Sequence, residues 1–271
     1  MVRVSSAFRP TYVLILISVL LAACSGDPNV RKQKYFQSGQ GYFEKGKYQE
    51  ASIEFLNAVK IDPNYAEAHY QLAESYLKMQ QPEHAFPELA RTVELQPDNY
   101  QARIDMANLL ILGHSFKEAQ EQTDLLLQKR PNDPLTHFAV SNLLAAQSNL
   151  PGAIEEMQKV IALAPGRWES YLNLALLQMR SDQPEAAETS FKKVIELNPQ
   201  AMQARLMLGT FYQTHSRFSE AEQQFRNAMG MDPKNPEPRA ALGRLYLAEG
   251  KKAEDKKTED KKDQDKKDDK K

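Results

Sequence analysis

The sequence predicts an all-α protein in which one helix–turn–helix unit is repeated along the chain. Prolines at Pro63, Pro97, Pro131, Pro165, Pro199 and Pro233 follow one another at intervals of 34 residues, a period that accommodates two helices and their turns. Between them apolar residues recur at helical spacing, as in Ala51, Phe55, Ala58, Val59 and again in Ala187, Phe191, Val194, Ile195. A 41% hydrophobic content is enough for a continuous core.

The segments around the prolines align as Asp62-Pro63-Asn64, Gln96-Pro97-Asp98, Arg130-Pro131-Asn132, Ala164-Pro165-Gly166, Asn198-Pro199-Gln200 and Asp232-Pro233-Lys234. Each ends one helix and caps the next. Pro82 and Pro184 fall where second helices begin, and a missing N–H costs nothing there. Pro87 lies deeper, so a local distortion is expected in the second repeat. Trp168, the only tryptophan, opens a repeat and is expected to pack against its neighbour.

The pattern resembles the tetratricopeptide repeat family, whose unit has fixed places for large, small and aromatic residues and a proline. Residues 32–65 match with Tyr35, Gly39, Tyr42, Ala51, Phe55, Ala58 and Pro63. Residues 202–235 match with Leu208, Gly209, Tyr212, Ala221, Phe225, Ala228 and Pro233, and the repeats between keep Ala85, Ala119, Ala153 and Ala187. Small residues recur because two antiparallel helices cross closely there. The resemblance implies a right-handed superhelical solenoid of six repeats, 32–65, 66–99, 100–133, 134–167, 168–201 and 202–235, followed by an additional helix over 236–250.

The ends of the chain differ from the array. Arg3 and Arg9 precede an apolar run from Thr11 to Ala23, only 13 residues and shorter than the ~20 needed to span a bilayer as a helix. This layout is that of a secretory signal over residues 1–23. It ends in Leu21-Ala22-Ala23-Cys24, which resembles the lipobox of bacterial lipoproteins and implies lipidation of Cys24. Residues 24–31 are then the lipidated start and linker, and Ser25 after the cysteine favours the outer membrane over the inner, facing the periplasm. Residues 251–271 alternate lysines with acids and contain no large apolar side chain, so this tail is expected to be disordered.

Function must then lie in surfaces, because the array leaves no room for a catalytic domain. Net charge is −1, so nothing draws the protein to nucleic acid. A single cysteine excludes an internal disulfide and any site of paired thiolates. The histidines at 69, 84, 114, 137 and 215 form no pair at helical spacing and read as surface or turn residues. Neither catalytic site, cofactor, metal nor small-molecule substrate is expected.

The resemblance implies a groove lined by the first helices of the repeats. Its fifth positions are Phe36, Tyr70, Ile104, Phe138, Leu172 and Leu206, and its ninth positions Gln40, Glu74, Asn108, Asn142, Leu176 and Thr210. Asn108, Asn142 and Asn173 are candidates for bonding the backbone of a partner segment. Packing of the stripe within the array itself is the alternative. Family members that hold chaperone tails use basic residues where this chain has aromatic and aliphatic ones, so such tails are not expected. The chain resembles both the repeat lipoproteins of exopolysaccharide and exosortase systems and the shorter lipoproteins of pilus biogenesis. Both imply a membrane-tethered scaffold for cell-envelope proteins. The alternatives are a regulatory or specificity subunit of an envelope enzyme, or a self-associating protein whose Leu242, Leu245 and Tyr246 lack a covering helix.

Overall fold

The computed structural model describes residues 27–250, and the signal segment, Cys24 and the lysine-rich tail lie outside them. Over this range the proline period becomes a period of helices. The first helices of the repeats are α1 (Pro28–Glu44), α3 (Ala66–Lys78), α5 (Tyr100–Leu112), α7 (Pro134–Ala146), α9 (Trp168–Arg180) and α11 (Met202–Thr214). The second helices are α2 (Tyr48–Ile61), α4 (Pro82–Leu95), α6 (Phe116–Lys129), α8 (Leu150–Leu163), α10 (Pro184–Leu197) and α12 (Phe218–Met231). A further helix, α13, covers residues 236–250. The chain divides between Lys129 and Arg130 into two compact units, each a stack of helix hairpins.

The two kinds of turn have different causes. Second helices stop before proline, whose ring pushes the preceding residue out of the helical region. Asp62, Gln96, Ala164, Asn198 and Asp232 accordingly leave the helical region, with φ between −130 and −141. First helices stop instead on a left-handed residue: Gly46, Gln80, His114, Ser148, Asp182 and Ser216 all have φ between 55 and 72. The next N–H closes the turn onto the helix, as Gln81 N does to Tyr76 O at 2.9 Å and Asn149 N to Leu144 O at 2.8 Å. Only Gly46 takes this conformation without a steric cost. Gln80→Gly is therefore expected to raise the stability of the first unit by about 0.5–1 kcal/mol, read as a higher denaturation midpoint; a lower midpoint would contradict it.

Helix starts follow local capping. Asp27 accepts from Asn29 N at 2.8 Å and Pro28 takes the first helical place. The first helix thus begins four residues ahead of the register set by Ala66, Tyr100 and Pro134, and residues 28–31 are helical where a linker is expected. Asn99, Asp133 and Asn149 cap their helices in the same way. Helix α4 runs unbroken through Pro87, so the distortion expected there does not end the helix. Trp168 packs against a cluster formed by Val194 and Ala201 of its own repeat and Ala204 of the next.

The core of each hairpin is set by a small residue on the first helix facing a larger one on the second. The second helices add a small residue of their own at each crossing: Ala51, Ala85, Ala119, Ala153, Ala187 and Ala221 are completely buried. At the closest crossings Phe55 lies against Gly39 and Phe225 against Gly209; a Cβ on Gly39 would stand 2.6 Å from the Phe55 ring. Elsewhere in this register alanine or serine occupies the glycine place, as Ala73, Ala107, Ser141 and Ala175. Leu242 and Leu245 of α13 are 9% and 1% exposed and join the core of the second unit. The hydroxyl of Tyr246 donates to Glu222 at 2.6 Å. Two of the three residues expected to be uncovered are therefore buried, because α13 packs on the last hairpin as a first helix would.

Candidate functional site

The first unit presents the groove positions of α1, α3 and α5. Phe36 is half-buried, with ring centroids 5.6 Å from Phe55 and 5.0 Å from Tyr65. Ile104 is only 5% exposed and belongs to the packed interior. Gln40 is exposed, and Tyr70, Glu74 and Asn108 are half-buried. Tyr70 donates to Asp105 Oδ2 at 3.1 Å, and Gln101 donates to Asp105 Oδ1 at 3.1 Å. Burial raises the pKa of Asp105, and burial together with the charge of Asp105 raises that of Glu74. Burial and the same carboxylate hold the Tyr70 phenol neutral.

In the second unit the groove positions of α7, α9 and α11 border two depressions. One, of ≈ 600 Å³, is walled by Asn142, Asn173, Leu176 and Leu177, with Met157 beneath and Arg180 at its edge. The other, of ≈ 190 Å³, has Leu176, Leu206, Met207 and Thr210 on one side and Arg244 of α13 on the other. Leu206 is 5% exposed, so it forms floor rather than rim. Phe138 and Leu172 are half-buried against cores that join their repeats to the following ones. Met157, Met179, Met207, Arg180 and Arg244 also line these depressions, at places outside the fifth and ninth positions of the six repeats. Arg244 holds the ninth place of α13, the place of Asn142, Leu176 and Thr210, so extending the register by one helix finds it. Arg180 and Met179 lie at the end of α9, beyond the positions considered.

Two histidines are not on the surface. His69 and His137 are 9% and 8% exposed, in contrast to exposed His84, His114 and His215. Nδ1 of His69 meets Glu88 at 2.5 Å and Nε2 meets the Pro63 carbonyl at 3.1 Å. His137 repeats this with Glu156 at 2.6 Å and Pro131 at 2.8 Å. Arg103, in the same register, bonds Gln122 at 2.6 Å and the Pro97 carbonyl at 3.1 Å. These residues bind each proline turn to the hairpin that follows. Burial opposes the charge on His69, but Glu88 and the Pro63 carbonyl outweigh it and its pKa lies above the ordinary value. Burial would raise Glu156, but bonds from Lys159 and His137 hold its carboxyl below the usual range.

A second fastening joins α10 to the turn before α12. Glu188 accepts from Tyr212 at 3.0 Å, Lys192 lies 2.7 Å away, and Arg217 bonds both carboxylate oxygens while its guanidinium stacks 4.3 Å from the Tyr212 ring. Arg217 above all lowers the Glu188 pKa from 4.5 to about 2. A depressed carboxylate stabilises the fold above its unfolded pKa and loses that effect as it protonates. The second unit is expected to lose stability as pH falls from 4.5 towards about 2, and Glu188→Gln is expected to flatten that slope. Acid titration of unfolding midpoints measures both; parallel slopes in the two proteins would contradict the assignment.

Among the described residues no group of three or more His, Cys, Asp or Glu side chains could hold a metal, and no helix is long and apolar enough to cross a membrane. The arrangement is suited to holding side chains of another chain by apolar contact and amide hydrogen bonds.

The fold is an all-α tetratricopeptide-repeat solenoid. Tetratricopeptide repeat families match residues 39–80, 66–99 and 172–236. Among curated proteins none matches. Solved structures with the same fold include PilW, described as a widely conserved type IV pilus biogenesis factor, with a TM-score of 0.69 and 18% identity over 78% of this chain and 98% of that one. A tetratricopeptide repeat protein from Parabacteroides merdae has a TM-score of 0.68 and 17% identity over 84% of this chain and 90% of its own. PilF of Pseudomonas aeruginosa has a TM-score of 0.61 and 17% identity over 80% and 99%. The chain thus carries tetratricopeptide repeats over the matched segments, and these solved structures share its fold.

Proposed function

We propose that this protein is a lipid-anchored scaffold of the bacterial cell envelope that recruits other proteins through the first-helix face of its repeats. The observation that carries the binding half is the apolar depression lined by Leu176 and Leu177 together with the Asn142 and Asn173 amides. Such a surface suits a partner segment that inserts apolar side chains while its backbone bonds the amides. In the first unit, half-buried Phe36, Tyr70 and Asn108 offer the same kinds of contact.

The anchoring half rests on Leu21-Ala22-Ala23-Cys24 behind its apolar run. Acyl chains contribute about 0.8 kcal/mol per buried CH₂, and one chain holds only marginally, so stable tethering requires the several chains that the lipobox implies. Ser25 after the cysteine favours the outer membrane, facing the periplasm, over the inner membrane. The assembly served is one of envelope export or pilus biogenesis, in line with the likeness to PilW and PilF.

Cys24→Ala is expected to release the protein from membranes or leave it unprocessed, read by fractionation and labelled palmitate; equal labelling of the variant would refute the anchor. Crosslinking in intact envelopes, followed by mass spectrometry, is expected to recover export or pilus components in stoichiometric amounts. Recovery of no protein partner would overturn the scaffold reading.

A further inference from the structure

We infer that the groove of the second unit selects an apolar segment bearing acidic side chains. The inference deepens the scaffold reading and rests on it. Helices α7, α9 and α11 carry a single carboxylate between them, Glu169, which is exposed in the first turn of α9. Against it stand Arg180 and Arg205, and Arg205 donates to the Pro199 carbonyl at 3.3 Å. Around the two depressions the charged side chains are Arg180, Arg244 and Glu237. Glu237 and Arg244 lie seven residues apart on α13, hence on one face.

The geometry fixes one of these cations. Arg180 Nη2 donates to the Ala145 carbonyl at 3.1 Å, an acceptor at the end of α7 that also takes the backbone N–H of Ser148 at 3.2 Å. That bond uses one of five guanidinium donors and holds the group at the edge of the larger depression. Arg244 stands at the smaller one, and Leu176 and Met179 line both. An apolar floor running between two exposed guanidinium groups is complementary to apolar side chains flanked by carboxylates, which arginine accepts in bidentate fashion. Met179 and Met207 supply soft, adaptable walls that accept more than one apolar shape. The corresponding face of the first unit has the opposite character, with Glu74 and Asp105 half-buried beside Tyr70, so the preference belongs to the second unit.

The test uses the full chain in detergent and three sets of labelled twelve-residue peptides, with Leu and Met alternating with Asp and Glu, with Lys and Arg, or with Ser and Gln. The acidic set is expected to bind at least tenfold more tightly than the basic set, and more weakly as salt rises. Joint replacement Arg180→Glu and Arg244→Glu is expected to invert the preference, with helicity unchanged by circular dichroism. Should that pair unfold the unit, Arg244→Glu alone, whose side chain bonds nothing in the core, is expected to reduce acidic binding at least threefold. Equal or tighter binding of the basic or neutral set overturns the inference, as does binding insensitive to the arginine changes. No binding of any set also overturns it, whereas the scaffold reading falls only if envelope crosslinking recovers no protein.

Discussion

Phe225→Ala is expected to cost the second unit about 3–5 kcal/mol, the usual range for removing a fully buried phenylalanine. Phe225 is 0% exposed and its ring occupies the space that a side chain at Gly209 would fill. The pairing makes a sharper expectation possible. In the unaltered protein Gly209→Ala forces a methyl group into the Phe225 ring, an overpacking worth about 1–3 kcal/mol, which exceeds the ~1 kcal/mol that alanine gains over glycine inside a helix. In the Phe225→Ala background the ring is gone and only the helical preference remains. Gly209→Ala should thus destabilise the first protein and stabilise the second. Denaturant unfolding of the four members of the cycle measures the coupling, and the same sign in both backgrounds would show that the glycine is not required by the ring.

His69→Ala is expected to cost the first unit on the order of 2 kcal/mol, because it removes a charge-assisted hydrogen bond and leaves Glu88 without its cation. The carboxylate lies 2.5 Å from the imidazole and its side chain is 22% exposed, so water recovers part of the loss. The histidine pKa is raised in the folded protein. Its contribution is therefore complete below the unfolded pKa near 6.5 and disappears as pH rises through the folded value. The difference between His69→Ala and the parent should shrink between pH 5.5 and pH 9, measured as urea midpoints with amide exchange at residues 62–66 as a local probe. A difference that grows with pH would mean that the pair acts through a neutral imidazole.

Much of this fold was legible without coordinates. The proline period predicts where second helices end because the constraint on the residue before proline is local, and Asp62, Gln96 and Asn198 obey it. The complete burial of Ala51, Ala85 and Ala119 was likewise readable from their register. The turns after first helices were less so. Gly46 announces a left-handed place, but Gln80, His114 and Asp182 in the same register do not, because the closing backbone bond outweighs their own preference. The histidine fastenings have a sequence signal of another kind: His69 with Glu88 and His137 with Glu156 share a separation of 19 residues, which joins the two helices of a hairpin and is not a spacing within one helix.

The candidate groove divides along the same line. Its positions are those that the family resemblance implies for the first helices; of them Asn142, Asn173 and Leu176 line the larger depression of the second unit and Leu206 the smaller. How far each side chain remains accessible was decided by tertiary packing. Ile104 and Leu206 are 5% exposed while Phe36 and Phe138, in the identical register, stay half-buried. Backbone periodicity is a property of neighbouring residues and is written in the sequence. Burial depends on which side chains the adjoining hairpin brings over a given place, and only the packed structure determines that.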